Sequence, residues 1–111
     1  MIRPDKFEIA ETRADSGTTV SVTGELDMQT TEMLRVRLTA SLRGEISDLT
    51  LDLQALTFMD STGLRLLLEL NHRAESEGWR LRLIAPRDEA AALVLRVTAI
   101  DTALPFESPR P

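Results

Sequence analysis

The spacing of apolar and polar residues along this chain changes period several times, and each change marks an element. Phe7-Glu8-Ile9-Ala10-Glu11 alternates and predicts a strand with one buried face. Asp15-Ser16-Gly17 is a turn signal. Thr18 to Thr23 is β-branched and alternating, with Val20 and Val22 on one face, so the two segments form a hairpin. Gly24-Glu25-Leu26-Asp27 ends that hairpin, and the period then lengthens. From about Met28 to Leu42 the residues Thr31, Leu34, Leu38 and Leu42 fall on one helical stripe, which Gly44 stops. Met33, Val36 and Ala40 form a second stripe, expected to be partly buried against a loop. Left exposed, it would be a contact surface.

Asp48 to Leu53 alternates again, with Leu49, Leu51 and Leu53 facing one way, and Leu56, Phe58 and Met59 prolong the apolar run. Asp60-Ser61-Thr62-Gly63 breaks the run with small polar residues. The spacing predicts a second helix starting within two residues of Ser61 and reaching about Glu77, where Gly78 ends it. Leu64, Leu67, Leu68 and Leu70 make its apolar arc; Arg65, Glu69, His72 and Ser76 lie opposite. Trp79 to Ala85 is a fourth strand and Pro86 opens a loop. Asp88 to Val97 is a third helix, and Leu104-Pro105-Phe106 is a short last strand. The order β-β-α-β-α-β-α-β predicts an α/β fold, a mixed sheet of four to five strands with helices packed against it. The expected domain runs over 4–106, followed by a frayed tail over 107–111. Leu34, Leu38, Leu51, Leu53, Leu67 and Leu68 are the expected core, with Arg65, Glu69 and His72 exposed.

Length and charge narrow the functional classes. A chain of 111 residues fits one domain with a modest core and has no room for a large enclosed cavity. A net charge of −5 argues against nucleic acid as the main partner and against an anionic membrane surface. With no cysteine, disulfides, thiolate zinc sites and thiol catalysis are excluded, and a reducing cytosol suits the composition. Met1-Ile2-Arg3-Pro4-Asp5 is not followed by the apolar core of a signal peptide, and no apolar run approaches a membrane span. A cytoplasmic protein without membrane insertion is expected.

The segment with most chemical content is Phe58-Met59-Asp60-Ser61-Thr62-Gly63-Leu64. It lies at the carboxyl end of a predicted parallel strand, where partners meet open α/β sheets, and it opens a helix whose free N–H groups tolerate an anion. The plainest role for Asp60 or Ser61 is to cap that helix. Three details point further. Two capping residues stand side by side where one suffices. Gly63 in the first turn weakens the helix by about 1 kcal/mol, which implies a close approach. The hydroxyls also sit at an edge that a partner can reach. In Gly24-Glu25-Leu26-Asp27, Asp27 either caps the Met28 helix or takes part in function. If the first and third strands are neighbours, Asp27 and Asp60 share one edge of the sheet. With no histidine or lysine in either motif to serve as a base, a hydrolytic site is disfavoured. His72 alone makes no metal site, no Walker or dinucleotide spacing is present, and no cofactor is implied.

Thr23-Gly24-Glu25-Leu26-Asp27 and Phe58-Met59-Asp60-Ser61-Thr62-Gly63-Leu64, in this element order, resemble the STAS family, and more closely its bacterial anti-sigma factor antagonists. The resemblance covers nearly the whole chain. It implies partner switching. The unphosphorylated antagonist binds an anti-sigma factor that is also a serine kinase, which frees a sigma factor. Phosphorylation of the antagonist then separates the pair, and a serine phosphatase resets it. By position, Ser61 is the phosphorylated residue, and Asp27, Asp60, Ser61, Thr62, Gly63 and Leu64 form the partner contact. Thr62 stands where many relatives carry a second serine, which leaves open a second phosphosite. Ala99 stands where relatives often carry glycine, which leaves open how the third helix ends. The same fold also serves as a scaffold subunit of a stress-signalling complex or an accessory subunit of a lipid-transport ATPase. An enzyme such as a nucleotide hydrolase is the third reading, with no turnover expected.

Overall fold

The computed structural model describes residues 7–44 and 47–110. The chain runs β1 (Glu8–Ala14), β2 (Gly17–Leu26), α1 (Met28–Ser41), β3 (Asp48–Met59), α2 (Ser61–Glu77), β4 (Arg80–Ile84), α3 (Glu89–Val97), α4 (Ile100–Ala103) and β5 (Phe106–Glu107). The five strands form one sheet in sequential order, β1-β2-β3-β4-β5. β1 and β2 are the expected antiparallel hairpin; the remaining neighbours are parallel. Each crossover moves one place in the same direction, and right-handed connections therefore set the helices on a single face of the sheet. Burial agrees. Val20, Val22, Leu49, Leu51, Leu53, Leu81 and Leu83 join Leu34, Leu38, Leu66, Leu67 and Leu95 in one core, while the alternating Thr19, Ser21, Thr50, Asp52 and Arg82 are only half-buried on the other face. Ser41 donates to Glu11 Oε1 at 2.5 Å and ties α1 to β1; this hydroxyl, then Arg13, holds the Glu11 carboxyl below the usual carboxylate range. Arg35 bonds Glu69 and ties α1 to α2.

Several expectations are corrected. The buried positions of α2 are Gly63, Leu66, Leu67, Leu70 and Ala74, a stripe at helical spacing that excludes Leu68. Leu68 is 45% exposed and belongs to the outer face, with Leu64 half-buried at the margin. On α1 the stripe of Thr31, Leu34, Leu38 and Leu42 is buried as predicted, but Met33, Val36 and Ala40 are exposed. They lie on the far side of a helix that already packs on the sheet, and no described loop crosses them. The last strand is Phe106–Glu107 and not Leu104–Phe106, so Glu107 of the expected tail pairs with Ile84. The expected start at Pro4 and the terminal Pro111 lie outside the described residues. Before β5 comes the unforeseen four-residue α4. The turn into it places Ala99 at φ 59°, in the left-handed region. α3 itself ends at Val97, as read from the sequence.

The carboxyl end of β3 is shaped by two irregularities. Its pairing with β2 steps from Ser21↔Asp52 to Thr23↔Ala55, and from Gly24↔Leu56 to Glu25↔Phe58, so β3 holds one extra residue at each step. Each extra residue reverses which side chains point inward. The buried series therefore runs Leu53, Leu56, Met59 at intervals of three, and Phe58 is turned outward, 44% exposed. Gly24 at φ 106° is the residue of β2 just before the second step, in a conformation side chains rarely adopt. Gly63 answers a different demand. A Cβ there would meet Met59 Cγ at 2.8 Å and Leu26 Cβ at 3.3 Å, so the first turn of α2 lies directly on the ends of β2 and β3. The close approach implied by this glycine is made by the protein's own sheet.

Four substitutions test this packing by chemical denaturation. Leu67→Ala removes a fully buried side chain and is expected to cost roughly 2–5 kcal/mol, whereas Leu68→Ala is expected to stay within about 0.5 kcal/mol. Equal losses at the two positions would contradict the assigned helix face. Gly63→Ala, stabilising in an ordinary helix, is expected to destabilise by about 1–3 kcal/mol through overpacking against Met59 and Leu26. Ala99→Gly is expected to raise stability by about 0.5–1 kcal/mol by relieving the left-handed backbone, and a loss would contradict that conformation.

Candidate functional site

The site forms where β2 and β3 leave the sheet together. Leu26 pairs with Met59, and the Asp60 N–H donates to the Leu26 carbonyl at 3.1 Å. Asp27 and Asp60 therefore start two helices from one edge. The sequence-stated condition for this, adjacency of the first and third strands, does not hold, because β2 lies between them. The two aspartates meet instead because β2, which carries Asp27, is the strand beside β3.

Both carboxylates are helix caps. Asp27 accepts from the Thr30 N–H at 2.9 Å, and the Thr30 hydroxyl accepts from the Asp27 N–H at 2.9 Å, a reciprocal capping box. The same hydroxyl donates to the Glu25 carbonyl at 2.6 Å, which fastens the exit of β2 to α1. The Thr30 N–H holds the Asp27 carboxyl below the usual carboxylate range. Its contribution is complete above that range and fades only as pH falls through the lowered value. Asp60 Oδ1 accepts from the N–H groups of Thr62 at 2.9 Å and Gly63 at 3.4 Å, and from the Thr62 hydroxyl. Asp60, not Ser61, is thus the cap of α2.

Ser61 is the first helical residue and is exposed. Of the N–H groups at the start of α2, only that of Ser61 lacks a protein partner among the described residues. This corrects the expectation of a helix terminus with free N–H groups to receive an anion: Asp60 already occupies those of Thr62, Gly63 and Leu64, and only the Ser61 N–H is left. Gly63 is buried, Thr62 and Leu64 are half-buried, and Arg65, Leu68 and His72 continue the exposed side of α2 from Ser61. Exposed apolar side chains stand at this same end of the sheet: Phe58, paired with Glu25 near the end of β3, and Met28, 74% exposed, at the start of α1. The sequence reading did not find these exposed apolar side chains. Only the three-residue interval Leu53, Leu56, Met59 signalled that Phe58 falls out of phase. Among the described residues, no three His, Cys, Asp or Glu side chains gather as metal ligands, and no helix is long and apolar enough to cross a membrane.

Comparison with known proteins agrees with this geometry. The model of a family described as "Mlab, STAS domain" matches residues 9–105. Among solved structures, an anti-sigma factor antagonist from Mycobacterium paratuberculosis superposes with a TM-score of 0.75 at 26% identity, over 96% of this chain and 89% of that one. The unphosphorylated form of the anti-sigma factor antagonist SpoIIAA gives a TM-score of 0.75 at 20% identity, over 95% of this chain and 89% of that one. The phosphorylated form of the Bacillus cell fate determinant SpoIIAA gives 0.69 at 20% identity, over 95% and 92%. The two SpoIIAA structures share the fold, and the mycobacterial one extends the likeness to anti-sigma factor antagonists in sequence as well. A family match over nearly the whole described chain, on a five-stranded mixed sheet with the Asp60-Ser61 turn at its edge, places this protein in the STAS domain family.

Proposed function

We propose that this protein is an anti-sigma factor antagonist that binds an anti-sigma factor with serine kinase activity, frees a sigma factor by doing so, and is switched off by phosphorylation of Ser61. The observation that carries the reading is the exposed Ser61 at the first position of α2, at the end of the sheet where Phe58 and Met28 are also exposed, with Leu68 exposed further along the helix. Exposed apolar side chains at the same end of the domain as an exposed serine suit a protein partner that both docks and modifies. The likeness to antagonists, one of them known in phosphorylated and unphosphorylated forms, supports it. Asp27, Asp60, Thr62, Gly63 and Leu64 complete the contact. The protein has no catalytic role of its own and acts in the cytoplasm.

The switch follows from charge. The Ser61 oxygen attacks the terminal phosphorus of a nucleoside triphosphate held by the kinase. The new O–P bond forms as the bond to the bridging oxygen breaks, the nucleoside diphosphate leaves, and the hydroxyl proton passes to a base of the kinase. A phosphatase directs water at the same phosphorus and releases inorganic phosphate. The phosphoserine carries about −1.5 to −2 charges at neutral pH. With the N–H groups of Thr62, Gly63 and Leu64 already taken by Asp60, that charge remains in water, where repulsion from Asp27 and Asp60 is screened. The free domain stays folded. In the complex the phosphate would be buried beside apolar side chains and two carboxylates, at a far larger cost.

Calorimetry with the kinase recovered by pull-down from source cells tests this. Ser61→Ala is expected to bind like the wild type and resist phosphorylation. Ser61→Asp is expected to bind about 100-fold more weakly, about 2.7 kcal/mol, with an unchanged circular dichroism spectrum. Full binding by the Ser61-phosphorylated protein, or phosphate found only elsewhere in the chain, would remove the basis of the reading. Recovery of a transporter ATPase instead of a kinase would favour the accessory-subunit role of the same fold.

A further inference from the structure

Two hydroxyls stand side by side at the start of α2, and the fold uses them differently. Thr62 is half-buried, and its Oγ1 donates to Asp60 Oδ1, the oxygen that also accepts from the Thr62 and Gly63 N–H groups. The Asp60 N–H is held by the Leu26 carbonyl at 3.1 Å, and the Asp60 carbonyl accepts from the Leu64 N–H at 3.2 Å. Asp60 is thus fixed through its main chain at both ends and through its carboxylate. The branched Cβ of Thr62 restricts its rotamer, so hydroxyl and acceptor hold one another. Ser61, one position earlier, is exposed, and its hydroxyl bonds no described residue.

From this asymmetry we infer that Thr62 is a positioning residue: it spends its only hydroxyl proton on the Asp60 carboxylate and so leaves Ser61 as the single phosphoryl acceptor of the pair. The inference rests on the reading of Ser61 as the switch and adds why the neighbouring hydroxyl is not a second one. A phosphoryl group on Thr62 would replace the donor O–H by O–P, delete the bond that steadies the cap, and bring a dianion against the carboxylate it now donates to. The same group on Ser61 breaks no bond within the protein. Holding Asp60 rigid also fixes the backbone of Ser61, so the hydroxyl is presented to a partner from a defined first turn.

Two measurements on the full chain decide the matter. In amide hydrogen exchange, Thr62→Val is expected to speed exchange at Gly63 and at residue 62 by about fivefold to tenfold, the effect of a weakened helix cap. The β2 amides are expected to be unchanged. Thr62→Ser, which keeps the hydroxyl, is expected to restore the wild-type rates. In phosphopeptide mapping from source cells, phosphate is expected on Ser61 alone in the wild type and on neither residue in Ser61→Ala. Phosphate on Thr62 in either protein, or exchange indifferent to Thr62→Val, overturns the inference. Phosphate on neither residue of the wild type brings down the switch instead, and exchange alone then decides the role of Thr62.

Discussion

The hydrogen bond from the Asp60 N–H to the Leu26 carbonyl closes the parallel pairing of β2 with β3, and the functional end of the molecule depends on it. It brings the last residues of two strands level, so that the next residue of each chain segment caps a helix. Gly63 allows α2 to rest on both strand ends, with Met59 and Leu26 beneath it. A side chain at that position would lift the first turn and with it Ser61. The site is consequently a property of two strand exits held in register, not of the Asp60-Ser61-Thr62-Gly63 segment alone.

The chemistry at this edge is governed by which polar groups are already satisfied. A helix N-terminus attracts anions because it presents free N–H groups and the positive end of a dipole. Here Asp60 has taken the available N–H groups of Thr62 and Gly63, and Asp27 does the same for α1 through Thr30. A phosphate on Ser61 therefore gains little from the helix. A modification that stays in solvent in the free protein leaves the fold intact, remains open to a phosphatase, and acts only where a partner would bury it. A built anion site would have done the reverse, ordering the phosphate and shielding it.

The outer faces of the helices show how far periodicity reads. Leu34 and Leu38 of α1, and Leu67 and Leu70 of α2, are legible as core because a stripe repeating at helical spacing must face something. Leu68 breaks that logic. It is as apolar as Leu67 and adjacent to it, yet a step of one residue turns it about 100° around the axis, away from the sheet. Met33, Val36 and Ala40 form a stripe as regular as the buried one, and they are exposed. Periodicity identifies faces; which face meets the sheet depends on where the helix lands.

The sequence by itself determined the element order apart from α4, the α/β class, the hairpin, and the start of α2 to within two residues of Ser61, because alternation, helical spacing and turn residues are local signals. It also singled out Asp27, Asp60 and Ser61, since capping residues next to an apolar strand end are visible in one dimension. Only the tertiary structure decided that Asp60 is the cap and Ser61 the free hydroxyl, because both are competent caps and the choice is made by the geometry of the exit from β3. It decided too that Phe58 faces outward, through two extra residues in β3 that arise from pairing with β2. The left-handed turn at Ala99 and the short α4 beyond it follow from the need to bring Leu104 into the core before β5 pairs with β4. Each of these outcomes turns on a contact between segments far apart in the chain, and a local pattern carries no record of such contacts.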